Sequence, residues 1–294
     1  MVHWQRTIAS HLNVKLGAYF WLAFAFTFAP NTSADSIRIA TYNLNWANRR
    51  GDQVLDAIRV TSPDVICFQE TTPQSETFLQ KQLGDRYPHF HSVGHNGQYP
   101  AERFSFASRF ELSDLAFTPP TADFFGFYSA TVELPEDRIR LINVHLSPFV
   151  IHRDVSLVDA MASVSATERN HAIEVTAIAK AIPKDLPTVI AGDFNSLSTF
   201  CAPKRLRELG LTDAFASINE DADTHPTWSW PTRPVPLALR IDYIFHTPHF
   251  RTTHSSIEKR DGSDHSLVVA TLEINTASQS SPKVQSEIGE VRRD

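Results

Sequence analysis

Short apolar segments, some alternating with polar residues and some continuous, recur along the chain and tend to stop at a polar cluster. Ser36 to Asn43 alternates and runs into Asn43-Leu44-Asn45-Trp46, which predicts a strand closed by two amides. Gln53 to Val60 places Val54, Leu55 and Ile58 at helical spacing, and Val65 to Phe68 is a second short strand ending in Gln69-Glu70. Thr72-Pro73 opens a helix through about Leu83. Glu102 to Ser108 alternates as a strand. Tyr128 to Leu134 and Arg138 to Leu146 flank Pro135-Glu136-Asp137 as a hairpin, the second arm carrying Asn143-Val144-His145. Leu157 to Ala181 has helical period. The run Val189-Ile190-Ala191 is too short for a helix and rich in β-branched residues, so it predicts a buried strand that stops at Gly192 and presents Asp193 and Asn195. A short helix ends at Leu206 to Leu209 with Gly210 as its C-cap. Leu239 to Phe245 reads as a strand carrying Arg240 and Asp242, and Ser266 to Ile274 as the last strand, introduced by Ser263-Asp264-His265. Arg86 to Gly97, with His89, His91 and His95, reads as a loop or edge strand. The proline-rich stretch 226–236 reads as a loop.

Several of these strands are apolar on both faces, so helices are expected to cover a layered core. No internal repeat or composition shift interrupts 36–274, which points to one α/β domain over residues 35–275. Beyond it, 276–294 is polar and Ser-rich, as in a disordered tail. At the other end, Arg6 and Lys15 precede the apolar run Leu16 to Ala29, and Thr32-Ser33-Ala34 supplies small residues. The run is shorter than the roughly 20 residues of a spanning helix. This predicts a signal peptide over 1–34, cleaved near Ala34, and a secreted or periplasmic protein; an uncleaved membrane anchor is the alternative.

Composition adds little: 42% hydrophobic and 20% charged residues are ordinary for a globular chain. The formal charge of -6 becomes -8 without the leader, 25 basic against 33 acidic residues, which is no footprint for tight nonspecific nucleic-acid binding. It leaves room for a nuclease whose bound cations invert the local sign. Cys67 and Cys201 give no zinc spacing, and sequence does not decide whether they pair.

The chemistry lies in six polar clusters at strand ends: Asn43/Asn45, Glu70, His145, Asp193/Asn195, Asp242 and Asp264/His265. On extended chain, positions i and i+2 share a face, so Asp193 and Asn195 can converge on one target. A strand ending in an Asx turn would also account for that pair. The set has no Ser- or Cys-centred nucleophile and no glycine-rich phosphate loop. Hard carboxylate oxygens suit a divalent ion such as Mg²⁺, while amides and imidazoles suit phosphate oxygens.

These motifs, Thr41-Tyr42-Asn43, Cys67-Phe68-Gln69-Glu70, Asn143-Val144-His145, Gly192-Asp193-Phe194-Asn195, Arg240-Ile241-Asp242-Tyr243 and Ser263-Asp264-His265, stand in an order that resembles the endonuclease/exonuclease/phosphatase superfamily over nearly all of 36–274. The resemblance implies a four-layer α/β sandwich, two packed mixed sheets flanked by helices, with the site at one sheet edge. It implies Glu70 as the main Mg²⁺ ligand (Mn²⁺ a possible substitute), supported by Asn43 and Asn45, with Asp264 reaching the metal. It further implies Asp193 as the group that orients or deprotonates water, Asn195 as a phosphate holder, and His265 as a phosphate contact oriented by Asp242. His145 matches the deoxyribonuclease-like and sphingomyelinase-like branches, and Glu102-Arg103-Phe104 matches the glutamate that supports this histidine in secreted deoxyribonucleases. Two departures stand out: Asn45 replaces the Asp of AP endonucleases, and Thr72 stands where secreted deoxyribonucleases place a groove-binding arginine.

Candidate substrate contacts are Arg103, the pair His152-Arg153 and Trp228, each with a solvated or packing role as the plainer reading. The expected activity is phosphodiester hydrolysis by a monomer, nucleic acid being the favoured substrate. A membrane lipid such as sphingomyelin, or an inositol phosphate, is the alternative. An inactive binding module would not need Glu70, Asp193, Asn195, Asp242 and His265 all intact.

Overall fold

The strand ends that carry the polar clusters belong to two sheets packed face to face. The computed structural model describes residues 36–94, 103–121, 124–149, 157–231 and 237–275. All of these fall within the compact unit Thr32–Asp294; the unit Met1–Asn31 lies outside them. The expected leader, Glu102, His152-Arg153 and the tail also lie outside the described residues.

In chain order the elements are β1 (Ser36–Asn43), α1 (Gly51–Thr61), β2 (Val65–Gln69), α2 (Pro73–Leu83), β3 (His89–Gly94), β4 (Arg103–Ser108) and β5 (Glu111–Thr118). There follow β6 (Phe127–Glu133), β7 (Arg138–His145), α3 (Leu157–Lys180), β8 (Thr188–Asp193), α4 (Cys201–Glu208) and β9 (Thr212–Asp213). The last are β10 (Trp228–Trp230), β11 (Leu237–Leu239), β12 (Asp242–His246), β13 (Phe250–Glu258) and β14 (Leu267–Ile274). One six-stranded sheet has the order β13-β14-β1-β2-β4-β3, the other β5-β6-β7-β8-β12-β9, and β10-β11 form a separate hairpin.

Three apolar clusters match the three interfaces of a four-layer sandwich. Period-2 alternation explains how one strand serves two of them. Val65 and Cys67 face the inter-sheet core with Ile39, Leu141, Val189 and Ala191, while Ile66 and Phe68 face outward onto Val54, Ile58 and Leu79 of α1 and α2. In the second sheet Ile190 and Tyr243 point outward against Val175 and Ile178 of α3 and Leu206 of α4. This is the four-layer architecture that the resemblance implies.

Each sheet has one parallel pair, β1-β2 and β7-β8, bridged by α1 and α3 respectively. Parallel neighbours need such crossovers, and ligands collect beyond the carboxyl ends of the strands they join. Register does the rest. His145 on β7 lies opposite Asp193 on β8, and Asp193 lies opposite Asp242 on β12, so three expected site residues share one rung.

Sequence reading missed β5, β13 and the two-residue β9. β5 and β13 alternate burial weakly and carry polar residues on an open face, as strands at or near a sheet edge do. The proline-rich loop is in part the β10-β11 hairpin, and its return arm ends at Leu239, separate from β12. His89 and His91 do lie on an edge strand, β3. Both cysteines are free thiols, Cys67 buried.

Gly192 shows how tightly the site rung is packed. A Cβ there would stand 1.9 Å from the Val144 carbonyl oxygen on β7. Only backbone movement relieves that contact, so Gly192→Ala is expected to destabilise by about 2–4 kcal/mol. For a domain of this size the midpoint of thermal unfolding should fall by roughly 5–15 °C. A midpoint within 2 °C or so of the parent would show that β7 and β8 slide apart freely.

Candidate active site

The two sheets meet through polar side chains at one end. Gln69 donates to Asn143 Oδ1 at 2.7 Å across the buried gap, and the Asn143 amide donates to the Phe68 carbonyl at 3.0 Å. One step nearer the surface, Asn43 Nδ2 donates both to Glu70 Oε1 and to Asp193 Oδ2, each at 3.0 Å. One amide thus holds two carboxylates from different sheets side by side.

Backbone conformation marks the same place. Of five non-glycine residues with positive φ among the described residues, three are Asn45 (52°), Glu70 (54°) and Asn195 (45°). A left-handed residue other than glycine costs about 1–2 kcal/mol, and such strain gathers where a side chain must be aimed. Here it turns the chain sharply as it leaves β1, β2 and β8. Asn43 Oδ1 accepts from Asn45 N and Asp193 Oδ1 from Asn195 N, so each strand-end carboxyl or amide also braces its own turn.

Asp193 is the hub. Buried, it has His145 Nε2 and His265 Nε2 each 3.6 Å from its Oδ2. His145 Nε2 is also 3.8 Å from Glu70 Oε1, and the Phe125 ring meets its imidazole edge-on at 5.2 Å. His265 is held from behind by Asp242, whose oxygens lie 3.1 and 3.0 Å from Nδ1. Burial raises the Asp242 carboxyl to about 6 against the pull of His265. Burial also pulls the His265 imidazole toward neutrality, but Asp242 and Asp193 outweigh it and lift its pKa to about 10. Between those values His265 is an imidazolium with its Nε2–H free to face the cavity and its Nδ1–H on Asp242.

Asp264 receives Asn45 Nδ2 at 2.9 Å on Oδ1 and Trp228 Nε1 at 3.0 Å on Oδ2. The amides expected to support the metal also position the carboxylates beside them. Asn43 orients Glu70, and Asn45 orients Asp264 while its own oxygen accepts from Ala47 N. Asn195 donates one amide hydrogen to the Leu146 carbonyl and, like Glu70, His145, Asp193, Asp264 and His265, lines a cavity of about 680 Å³.

Arg103 is placed elsewhere. Its guanidinium makes a two-pronged pair with Glu76 of α2 at 3.0 and 2.7 Å, and Glu76 also accepts from Thr71, the neighbour of Glu70. A fork so matched has no reason to leave for a substrate, so Arg103 braces the Glu70 turn. Trp228 does line the cavity, stacked on Trp230 with ring centres 6.3 Å apart. Phe125, Phe149, Phe200 and Leu197 line it too.

Phe125 and Glu174 escaped sequence reading. Glu174 is a fully buried carboxylate that accepts from Phe125 N at 3.0 Å, Ser147 N at 3.1 Å and Ser147 Oγ at 2.9 Å. It ties together the two loops that flank His145, even though burial raises its pKa above that of an ordinary carboxyl. A signal was present: His171 and Glu174 sit in the buried stripe of α3 with Val175 and Ile178, at spacings of three and four.

The donor set suits a hard divalent cation. Carboxylates of Glu70, Asp193 and Asp264 line one cavity, and no Lys or Arg lines it among the described residues. Among the described residues, the group of three whose ligand atoms lie within 4.8 Å of one another is Asp193, Asp242 and His265. His265 Nδ1 is occupied by Asp242, however, and a charged imidazole is no ligand, which favours the Glu70 side.

No curated protein sequence matches the chain. Solved structures do. An endonuclease/exonuclease/phosphatase from Beutenbergia cavernae superposes with a TM-score of 0.65 at 19% identity, over 82% of this chain and 72% of that one. D. rerio TDP2 complexed with a single strand DNA product gives 0.64 at 18%, over 81% and 99%. The human Nocturnin catalytic domain with bound sulfate gives 0.59 at 17%, over 82% and 95%. At these identities the likeness concerns the fold. The sequence profile of the Endonuclease/Exonuclease/phosphatase family matches residues 40–265, from the end of β1 to the histidine that Asp242 orients. The chain belongs to that family and is a metal-dependent hydrolase of phosphoric esters.

Proposed function

We propose that the protein is an exported Mg²⁺-dependent phosphodiesterase that cleaves nucleic acid, acting as a monomer on single-stranded segments or ends. The observation that carries the reading is the mixed lining of the cavity. Its acids and imidazoles, from Glu70 to His265, sit among the rings of Phe125, Phe149, Phe200, Trp228 and Trp230, with Phe125 edge-on to His145 and Trp228 bonded to Asp264. A phosphate held at the acids and imidazoles places its flanking base against the rings, and every base has a face to stack. A concave pocket admits an unpaired nucleotide more readily than an intact duplex. Export rests on the leader pattern in residues 1–34.

In this reading Asp193 Oδ2 accepts a proton from the attacking water, its carboxylate held by Asn43 and by Asn195 N. His265 Nε2–H and His145 Nε2 bracket the phosphate position as fixed donors to its non-bridging oxygens, and Asn195 presents its second amide hydrogen nearby. Such preorganised donors need no rearrangement as charge develops, and each contributes about 10²–10³ in rate. Glu70 and Asp264 would hold the Mg²⁺, which would supply Lewis-acid charge at the phosphate. Water adds to phosphorus, the bridging oxygen leaves as an alkoxide, and a proton returns to it.

The test is Mg²⁺-dependent hydrolysis by the full chain of plasmid DNA, single-stranded DNA, RNA, sphingomyelin and phosphoinositide, with Asp193→Ala as control. Cleavage of single-stranded DNA or RNA that disappears in the control is the expected result. With no Lys or Arg on the described cavity lining, the slope of log KM against log salt should stay below about 2, at roughly 0.7 per phosphate. A lipid substrate is the second reading, favoured by Trp230 and Leu237, each 46% exposed on the hairpin at the cavity rim. Sphingomyelin turnover with every nucleic acid untouched would overturn the first reading in favour of it.

A further inference from the structure

A second cavity, of about 400 Å³, opens on the other side of Glu70. The two cavities share that carboxylate and little else. Leu44, Val54 and Leu79 form a buried apolar floor. Trp46 and Phe78 line it as exposed aromatic side chains, 49% and 37% accessible, and Arg49, Asp52 and Gln74 are among its polar lining groups.

The position of the two rings is built in. Trp46 N donates to Glu70 Oε2 at 3.1 Å, which fixes the tryptophan backbone beside the catalytic carboxylate. Phe78, on α2, lies against Gly51 at the start of α1, so closely that a Cβ there would stand 2.6 Å from its ring. Trp46 and Phe78 together with the apolar floor beneath them make one continuous apolar surface, the kind that marks a ligand-binding groove. An apolar floor, aromatic rims and a few polar edge groups make the pattern of a small-molecule subsite, at a volume within the usual range.

We infer that this cavity binds the second nucleoside of the substrate, the one across the scissile phosphate from the nucleoside seated against Trp228 and Phe125. The inference rests on the nucleic-acid reading above. One base stacks on Trp46 or Phe78, and the Arg49 guanidinium meets the next phosphate along the strand. An acyl chain would have no use for the polar edge, and continuity through Glu70 sets the occupant as the other half of one phosphodiester.

The experiment compares thymidylyl-(3′→5′)-thymidine with the methyl esters of thymidine 3′-phosphate and thymidine 5′-phosphate. Each ester keeps a diester and drops one nucleoside. In the full chain the dinucleotide should exceed the poorer methyl ester by about tenfold or more in kcat/KM, as base stacking does elsewhere. Phe78→Ala should bring the dinucleotide down to the level of that ester, chiefly through KM, and leave the ester's own turnover unchanged. Trp46→Ala should lower the same ratio, and Trp46→Phe, which keeps a ring, should restore most of it. A ratio that survives in both alanine variants overturns the subsite, as does an equal slowing of all three substrates. If the parent enzyme turns over none of the three but hydrolyses sphingomyelin, the nucleic-acid reading fails and this inference with it, a result that looks different from either.

Discussion

Glu70→Gln is expected to lower Mg²⁺-dependent kcat/KM by more than about 10³-fold while the fold persists. A single fixed donor to a developing oxyanion is worth 10²–10³, and a divalent cation on the same oxygens does more. Gln keeps the shape of Glu70 and can still accept from Asn43 Nδ2 or from Trp46 N, but not from both as the carboxylate does. Losing one such bond costs about 1 kcal/mol, or some 2–4 °C in the unfolding midpoint. Titration calorimetry should show Mg²⁺ heats in the parent and none in the variant. Full Mg²⁺-dependent turnover by the variant would move the metal away from Glu70, toward the group formed by Asp193, Asp242 and His265.

Asp242→Asn should cost about 10²–10³ in kcat and reshape the pH profile. Asp242 is buried and touches no solvent-facing part of the cavity; it acts through His265. In the parent, its charge and that of Asp193 lift the imidazole to about 10 against burial, so the imidazolium survives across the neutral range. Without Asp242 burial gains weight, the pKa falls, and the alkaline limb of activity moves to lower pH. An unchanged limb would show that His265 is not the group titrating there.

Stability in chelator carries the same sign. A raised imidazole pKa gives stability that is full below the unfolded value near 6.5 and is lost as pH climbs through about 10. Asp242 is also raised, to about 6, so its protonated form is favoured in the fold. Its share is full below about 3.9 and gone above about 6. The parent should therefore lose stability between pH 6.5 and 10, and Asp242→Asn should lose less.

Much of this machinery was legible in the chain. Asn43, Glu70, His145 and Asp193 close apolar segments and Asp242 and His265 open them, and an apolar run bounded by a charged, imidazole or amide residue is visible without coordinates. Other contributors left no trace because their partners are remote. Glu174 meets Phe125 across 49 positions, and Asn43 meets Asp193 across 150. The hold of the Asn43 and Asn45 amides on Glu70 and Asp264 was likewise visible only in the geometry.

By itself the sequence determined which side chains could do the chemistry and the strands that end in them, because polarity and a period of two are properties of neighbouring residues. It also carried the layered plan, since β2 and β8 are apolar on both faces. Only tertiary structure decided that His145, Asp193 and Asp242 share a rung, that Arg103 is claimed by Glu76, and that Trp46 and Phe78 open a second cavity beside Glu70. Those facts depend on register and on packing between elements far apart in the chain. Contacts of that kind are set by how whole faces fit together, which no local pattern records.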